Sequence, residues 1–215
     1  DALPISYSEI TFTLNKGESY IVDGMVFRRD PANYSGFIGA KIEASKPVSV
    51  TNGNFNGQYA GPFDTSSDIL MDQSIPVEKL GNQFVLVKGN GTIGSNMERA
   101  LVIATQNDTK IYVNNETTPL TTLNTGEYYV IPDVKYVLQG NNHYNLFIRT
   151  TQNAYVYQLL AGLANPSNVS TELATGGFNF IPALNCYLPK QINELGLIDE
   201  NFVVSNGNPT GVLNI

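Results

Sequence analysis

The residues best placed to do chemistry in this chain are three aspartates, Asp64, Asp68 and Asp72, within FDTSSDILMDQ. Carboxylate oxygens at this density suit a hard cation. With Asn54 and Asn56 just upstream they offer an oxygen set for Ca²⁺, although the spacing follows no EF-hand loop. A metal is therefore expected, if anywhere, on Asp64, Asp68 and Asp72; the plainer alternative is a solvated acidic loop in which Asp68 caps a turn. The surrounding stretch, Thr51 to Asp72, also supplies side chains that stack on and hydrogen-bond sugars or peptides. Asn54, Asn56, Gln58, Tyr59, Asp64 and Asp68 are the expected ligand contacts.

Nucleophilic catalysis is not expected. Cys186 is the one cysteine and sits in the apolar run FIPALNCYLP, so it reads as a small buried hydrophobe. A thiol or hydroxyl nucleophile needs a base, and the one histidine, His143, stands in the turn-like GNNHYN. GxSxG, HExxH and Walker-type motifs are all missing from the sequence. No catalytic residue is assigned, and no cofactor apart from Ca²⁺ at the acidic run.

Glu18 and Glu127 recur at matching places, and they reveal how the chain is organised. TLNKGESYIV at 13–22 and TLNTGEYYVI at 122–131 share six of ten residues. Further matched segments follow in the same order: IEASKPVSV with IRTTQNAYV, IPVEKLG with LPKQINELG, QFVLV with ENFVV, and GNGTIG with GNPTG. Such ordered self-similarity is the mark of a repeat. It divides the chain into a unit at 1–94, lacking most of its first hairpin, and a unit at 95–215 that ends in the start of a further one. The chain then reads as part of a longer tandem array. A carboxylate repeated at one place in each copy points to a structural hydrogen bond beside the LNxG turn, since a catalytic pair needs no member in each copy.

The elements that must hold these residues are almost all strands. SEITFTL, ESYIVDGMVFR, AKIEA, PVSVTN, QFVLVK, ALVIAT, KIYVN, EYYVI, YNLFIRT and AYVYQLLA are short, rich in Val, Ile, Tyr and Thr, and bounded by Asn, Asp, Gly and Pro. Turns are expected at Asn107-Asp108, Lys46-Pro47 and Gln152-Asn153, with Gly17 and Gly126 taking a positive backbone angle. Only EKLG and QINELG look helical, each one turn long. Alternation along the strand after LNxGE places Tyr20 and Tyr129 alike in the two copies, and both are expected to be largely buried. The stretches 51–72 and 162–177 are the longest with no regular pattern. The fold expected is all-β, two pseudo-repeated antiparallel sandwich units of jelly-roll type, with a β-propeller as the alternative.

Composition narrows the partners. A net charge of −7 with the twelve basic residues scattered offers no surface for nucleic acid phosphates. No run of 18 apolar residues is present, so no helical membrane span is expected.

The run GAKIEASKPVSVTNG, followed by SSDILMDQSIPVEKLGNQFVLV, ALVIATQNDTKIYVNN and TLNTGEYYVI, resembles the IgG-Fc-binding protein N-terminal-like domain, as found in large secreted surface proteins of Bacteroidota. The shared pattern falls on Ser45 to Val50, Asp68 with Gln73 to Gly81, Phe84 to Val87, Ala104 to Asn115 and Thr122 to Tyr129. Ile69 stands where the mucus member of that family has a histidine. The resemblance implies a non-enzymatic binding or adhesion module of a large secreted or cell-surface protein. Its partners would be an extracellular protein or glycan and neighbouring repeats of the same chain. The rival expectation is a carbohydrate-active hydrolase whose carboxylate pair is assembled only in the fold.

Overall fold

The computed structural model describes residues 9–23, 36–57, 68–89, 93–94, 96–140, 143–163, 173–185, 188, 191, 204–205 and 208–209. The chain divides into two compact units, Asp1–Ile38 and Gly39–Ile215.

The larger unit is all-β and antiparallel, as the strand pattern requires. Its strands are β1 (Val50–Gly57), β2 (Asp68–Ser74), β3 (Gly81–Val87), β4 (Glu98–Ala104), β5 (Thr109–Val113), β6 (Thr121–Leu123), β7 (Tyr128–Ile131), β8 (Val137–Gly140), β9 (His143–Leu163), β10 (Leu173–Phe180), β11 (Val204–Ser205) and β12 (Asn208–Pro209). Single 3₁₀ turns at Val77–Lys79 and Asp133–Lys135 interrupt them; the first lies in the EKLG segment read as helical. Alternation is clean on half-buried strands. In β5 Thr109, Ile111 and Val113 are buried while Lys110 and Tyr112 are only partly covered, and in β3 Phe84 and Leu86 point inward between Val85 and Val87.

Everything converges on β9, which is 21 residues long. Its first half pairs with β3 on one edge, and with β8 and then β5 on the other. Its second half pairs with β4 on one edge and β10 on the other, and β7 and β6 extend the sheet from β4 and β5. Between the halves the register slips: Gln83 faces Arg149, but Gly81 already faces Ala154. Such a bulge bends a strand without ending it. Gln152-Asn153 was expected as a turn; instead the chain bends there and runs on. Threonine hydroxyls carry the displaced carbonyls, with Thr150 Oγ1 donating to Gln152 O at 2.6 Å and Thr105 Oγ1 to Asn153 O at 2.6 Å. The two halves therefore face each other across one core, a near-barrel sandwich filled by Phe84, Leu86, Val102, Ile111, Leu146, Ile148 and Val156.

Two buried carboxylates fix the loop that leads into β4. Asp133 is 1 % exposed, and its Oδ2 accepts the backbone N–H groups of Gly94 at 2.9 Å and Asn96 at 2.8 Å. Glu98 accepts the N–H of Gly89 at 2.7 Å. Charge-assisted bonds of this kind offset the cost of taking a carboxylate out of water.

Both LNxGE segments close into the same turn. Glu127 N donates to Asn124 O at 2.9 Å and Glu18 N to Asn15 O at 3.1 Å. Gly126 at φ +81° and Gly17 at φ +88° occupy the third position, as a type II turn demands. The glutamate then reaches back, its Oε2 accepting the asparagine N–H at 2.6 Å in Asn124 and 2.8 Å in Asn15. These backbone and side-chain hydrogen bonds from Asn15 hold the Glu18 carboxyl below its ordinary range. The recurring glutamates are thus turn-closing residues. Asp108, at φ +55°, makes a turn between β4 and β5 where Asn107-Asp108 announced one, but the two strands pair with β7 and β6 and with successive parts of β9 and not with each other, so no hairpin forms there.

Two expectations need correction. Tyr129 is partly buried against the core, but Tyr20 is 56 % exposed and stacks on Phe12 at 4.2 Å. Residues 9–23 and 40–49 carry no ladder pairing among the described residues; β propensity alone does not make a strand where no neighbour supplies the hydrogen bonds. The QINELG segment and Cys186 lie outside the described residues, apart from Gln191.

Ile148 lies in the shared strand with no exposed surface, whereas Ile21 is 75 % exposed. Ile148→Ala is expected to cost about 2–5 kcal/mol of unfolding free energy, and Ile21→Ala no more than about 0.5 kcal/mol. Urea titration followed by circular dichroism measures both.

Candidate functional site

The stretch 51–72, irregular by sequence pattern, is a hairpin in its described parts. β1 and β2 pair from Val50↔Ser74 to Asn54↔Leu70, then slip to Gly57↔Asp68. Asn and Gly hid it, because both are poor strand formers. They are tolerated here by close approach: a side chain on Gly53 would meet Leu70 O at 1.9 Å. The stretch 162–177 likewise holds the ends of β9 and β10, which pair with each other.

Pairing decides what each face of the β1–β2 hairpin does. Asn52 and Asp72 are partners, as are Val50 and Ser74, so these residues share the face toward β10. That face meets an aromatic cluster on the outer side of β9 and β10. Tyr157 stacks on Phe178 at 4.2 Å and meets Phe180 edge-on at 5.7 Å; Tyr155 lies beside them. Three polar links fasten the hairpin there. Asp72 Oδ2 accepts the backbone N–H of Phe180, Tyr155 donates its hydroxyl to Ile75 O at 2.7 Å, and Ser74 and Asn52 hydrogen-bond the Tyr157 hydroxyl. Leu70, 2 % exposed, fills the remaining space.

The opposite face looks at solvent. Phe55 at 69 %, Ile69 at 62 % and Met71 at 37 % exposure form an apolar patch there, with Thr51 and Gln73 exposed on the same side. Gln73 is held by its Nε2 donating to Ser49 Oγ at 2.7 Å. Large apolar side chains on a strand face that faces water are the ordinary substance of binding sites, because covering them releases water without a polar penalty. Sequence reasoning chose the polar residues of this segment and missed Phe55, Ile69 and Met71. The signal was there in ILMD, where Ile69 and Met71 alternate with Leu70, but it needed the register to say which parity faces out.

The expected contacts are distributed unevenly. Asn54 Oδ1 accepts the N–H of Asn56 at 2.9 Å, so Asn54 closes a local turn at the bulge, and both residues are exposed. Gln58, Tyr59 and Asp64 lie outside the described residues, and of Asp68 only the backbone, opposite Gly57, is described. Asp72 of the suggested Ca²⁺ set uses Oδ1 for the N–H of Gln73 at 2.7 Å and Oδ2 for that of Phe180. Among the described residues no three His, Cys, Asp or Glu side chains gather in a metal-binding group. His143 is exposed at the start of β9. Among the described residues this face offers apolar side chains and no nucleophile–base pair.

A family model described as IgGFc binding protein matches residues 4–209. No curated protein and no solved structure matches the chain. Among the described residues no helix is long and apolar enough to cross a membrane.

Asp72→Ala leaves the buried N–H of Phe180 unpaired and is expected to cost about 1–3 kcal/mol. Hydrogen exchange should show the amide of Phe180 losing protection before those of the β4–β9 ladder. A second expectation concerns alkali. Burial pushes up the phenols of Tyr155, Tyr157 and, furthest of the three, Tyr136, where the Glu98 charge adds to it. The folded chain therefore holds these protons more tightly than the unfolded one. Their stabilising effect is complete below the ordinary tyrosine value of about 10 and is lost as pH rises above it. Unfolding by circular dichroism and phenolate absorbance should then rise together in alkali; ionisation of all twelve tyrosines before any loss of fold is the contrary result.

Proposed function

Because the chain belongs to the IgGFc binding protein family, we propose that it is a non-enzymatic binding and adhesion module of a large secreted or cell-surface protein. The ligand is an extracellular protein or glycan. The observation that carries this reading is the outer face of the β1–β2 hairpin, where Phe55, Ile69 and Met71 stand exposed on a base that Asp72, Tyr155 and Tyr157 fasten to β9 and β10. A patch of this kind loses little conformational entropy when it is covered, since its backbone is already fixed.

The repeat belongs to the same reading. Two units built on one sequence pattern, each with its LNxGE turn, suit a protein that displays many copies of a module along a chain. Display multiplies weak contacts, because a second module binds at a high effective concentration once the first has engaged. The described carboxylates support the non-enzymatic side. Glu18, Asp72, Glu98, Glu127 and Asp133 all accept backbone N–H groups within the fold.

Glycan and protein arrays probed with the intact chain, with calcium and with chelator, test the reading. Binding is expected, and Phe55→Ser with Ile69→Ser is expected to weaken it about tenfold or more, roughly 1.4 kcal/mol, with the circular dichroism spectrum unchanged. Turnover of a glycoside panel that vanishes when Asp64, Asp68 or Asp72 becomes Asn would place the chain among the hydrolases instead.

A further inference from the structure

The first LNxGE turn presents an apolar face that its second copy keeps covered. Leu14 is 38 % exposed and Val22 45 %, while the matching Leu123 and Ile131 are 7 % and 0 % exposed. Phe12 and Tyr20, stacked on each other, are exposed beside them. The turns themselves are the same, with the same asparagine, glycine and glutamate bonds, so the difference lies in what packs on them. No strand pairs with the Thr11–Val22 segment among the described residues.

We infer that this face, formed by Phe12, Leu14, Tyr20 and Val22, is a docking surface for a strand–turn–strand segment of the β4–β5 kind supplied by a neighbouring repeat of the same array. The inference rests on the tandem-display reading above. The second copy shows what such a segment does. β4 pairs with β7 from Ala100↔Ile131 to Ile103↔Tyr128, and β5 pairs with β6 from Thr109↔Leu123 to Ile111↔Thr121. At the tip, Ala104 N donates to Glu127 O at 2.9 Å and Gly126 N to Ala104 O at 2.9 Å. Asn107 Oδ1 closes the clasp by accepting Thr125 N at 3.0 Å and Thr125 Oγ1 at 3.1 Å.

These contacts define the occupant by chemistry. It needs one strand for each arm of the turn, small and branched apolar residues on the inward parity, and a side-chain amide at its tip to take the N–H of the residue after the asparagine. In the first copy that residue is Lys16, which keeps the backbone donor and lacks only the Thr125 hydroxyl. Neither arm is ladder-paired among the described residues, and strand addition to such segments joins main-chain hydrogen bonds to side-chain selectivity. A second whole copy of the chain fits less well, because its β4 and β5 already hold its own β7 and β6.

The chain has no tryptophan, so Phe12→Trp places a unique reporter on the exposed face. The probe is a synthetic peptide of residues 100–115, ALVIATQNDTKIYVNN, added to the full chain. A saturable blue shift of the emission is expected. It should weaken about tenfold or more when Tyr20→Asp is introduced in the chain or Asn107→Ala in the peptide, with native circular dichroism in every variant. No shift with a natively folded chain overturns the inference. So does a shift that grows with protein concentration alone, which would make a second copy the occupant. A shift indifferent to both substitutions overturns it as well. Peptide docking that persists where the arrays find no ligand would sink the recognition reading and leave this interface standing; array binding without peptide docking would do the reverse.

Discussion

One strand holds this structure together. β9 lends its two edges to β3, β4, β5, β8 and β10, and its second half is covered on both faces, by the core through Ala154 and Val156 and by the β1–β2 hairpin through Tyr157 and Leu159. A strand can serve two sheet halves only if it bends, and a bend leaves backbone groups without ladder partners. The threonines at 105, 150 and 151 answer that requirement: two donate to carbonyls at the corner, and Thr151 both donates to Asp108 O and accepts the N–H of Lys110. The near-barrel closes because the corner is satisfied by β9's own threonines together with the β4–β5 turn packed against it.

Polar groups elsewhere follow the same logic of short-range satisfaction. Asp133 and Glu98 pin the entry to β4, and Asp72 ties β2 to β10. Each lies where two pieces of backbone distant in sequence meet, and each answers a donor that would otherwise be buried unpaired. The polar links named here lie on the face of the β1–β2 hairpin toward β10, opposite the exposed Phe55, Ile69 and Met71.

Much of this was legible in the sequence, for identifiable reasons. The LNxGE turn and the Asn107-Asp108 turn are set by local backbone chemistry, and local chemistry is what residue types encode; that β4 and β5 pair with other strands and not with each other was not legible there. The all-β class followed from Val, Ile, Tyr and Thr at alternating positions. The corner of β9 was misread because Gln152-Asn153 has the composition of a turn; only the threonine bonds and the flanking strands make it a bend. The hairpin at 51–72 was concealed by Asn and Gly, which lower strand propensity but suit the close approach at Gly53. Tyr20 was placed by analogy with Tyr129, and the analogy held for the turn but not for what packs on it.

The position of β9 in the chain has a consequence for how the molecule is made. A nascent polypeptide leaves the ribosome from its N-terminus, so β3, β4 and β5 emerge well before the strand that must pair with them. Until His143–Leu163 has followed, among the described strands only β1 with β2, β5 with β6 and β4 with β7 have their partners at hand. Pairings of high sequence separation close slowly and leave apolar edges open in the meantime. Folding of the sheet during synthesis therefore waits on its central strand, and ends that wait when His143–Leu163 arrives.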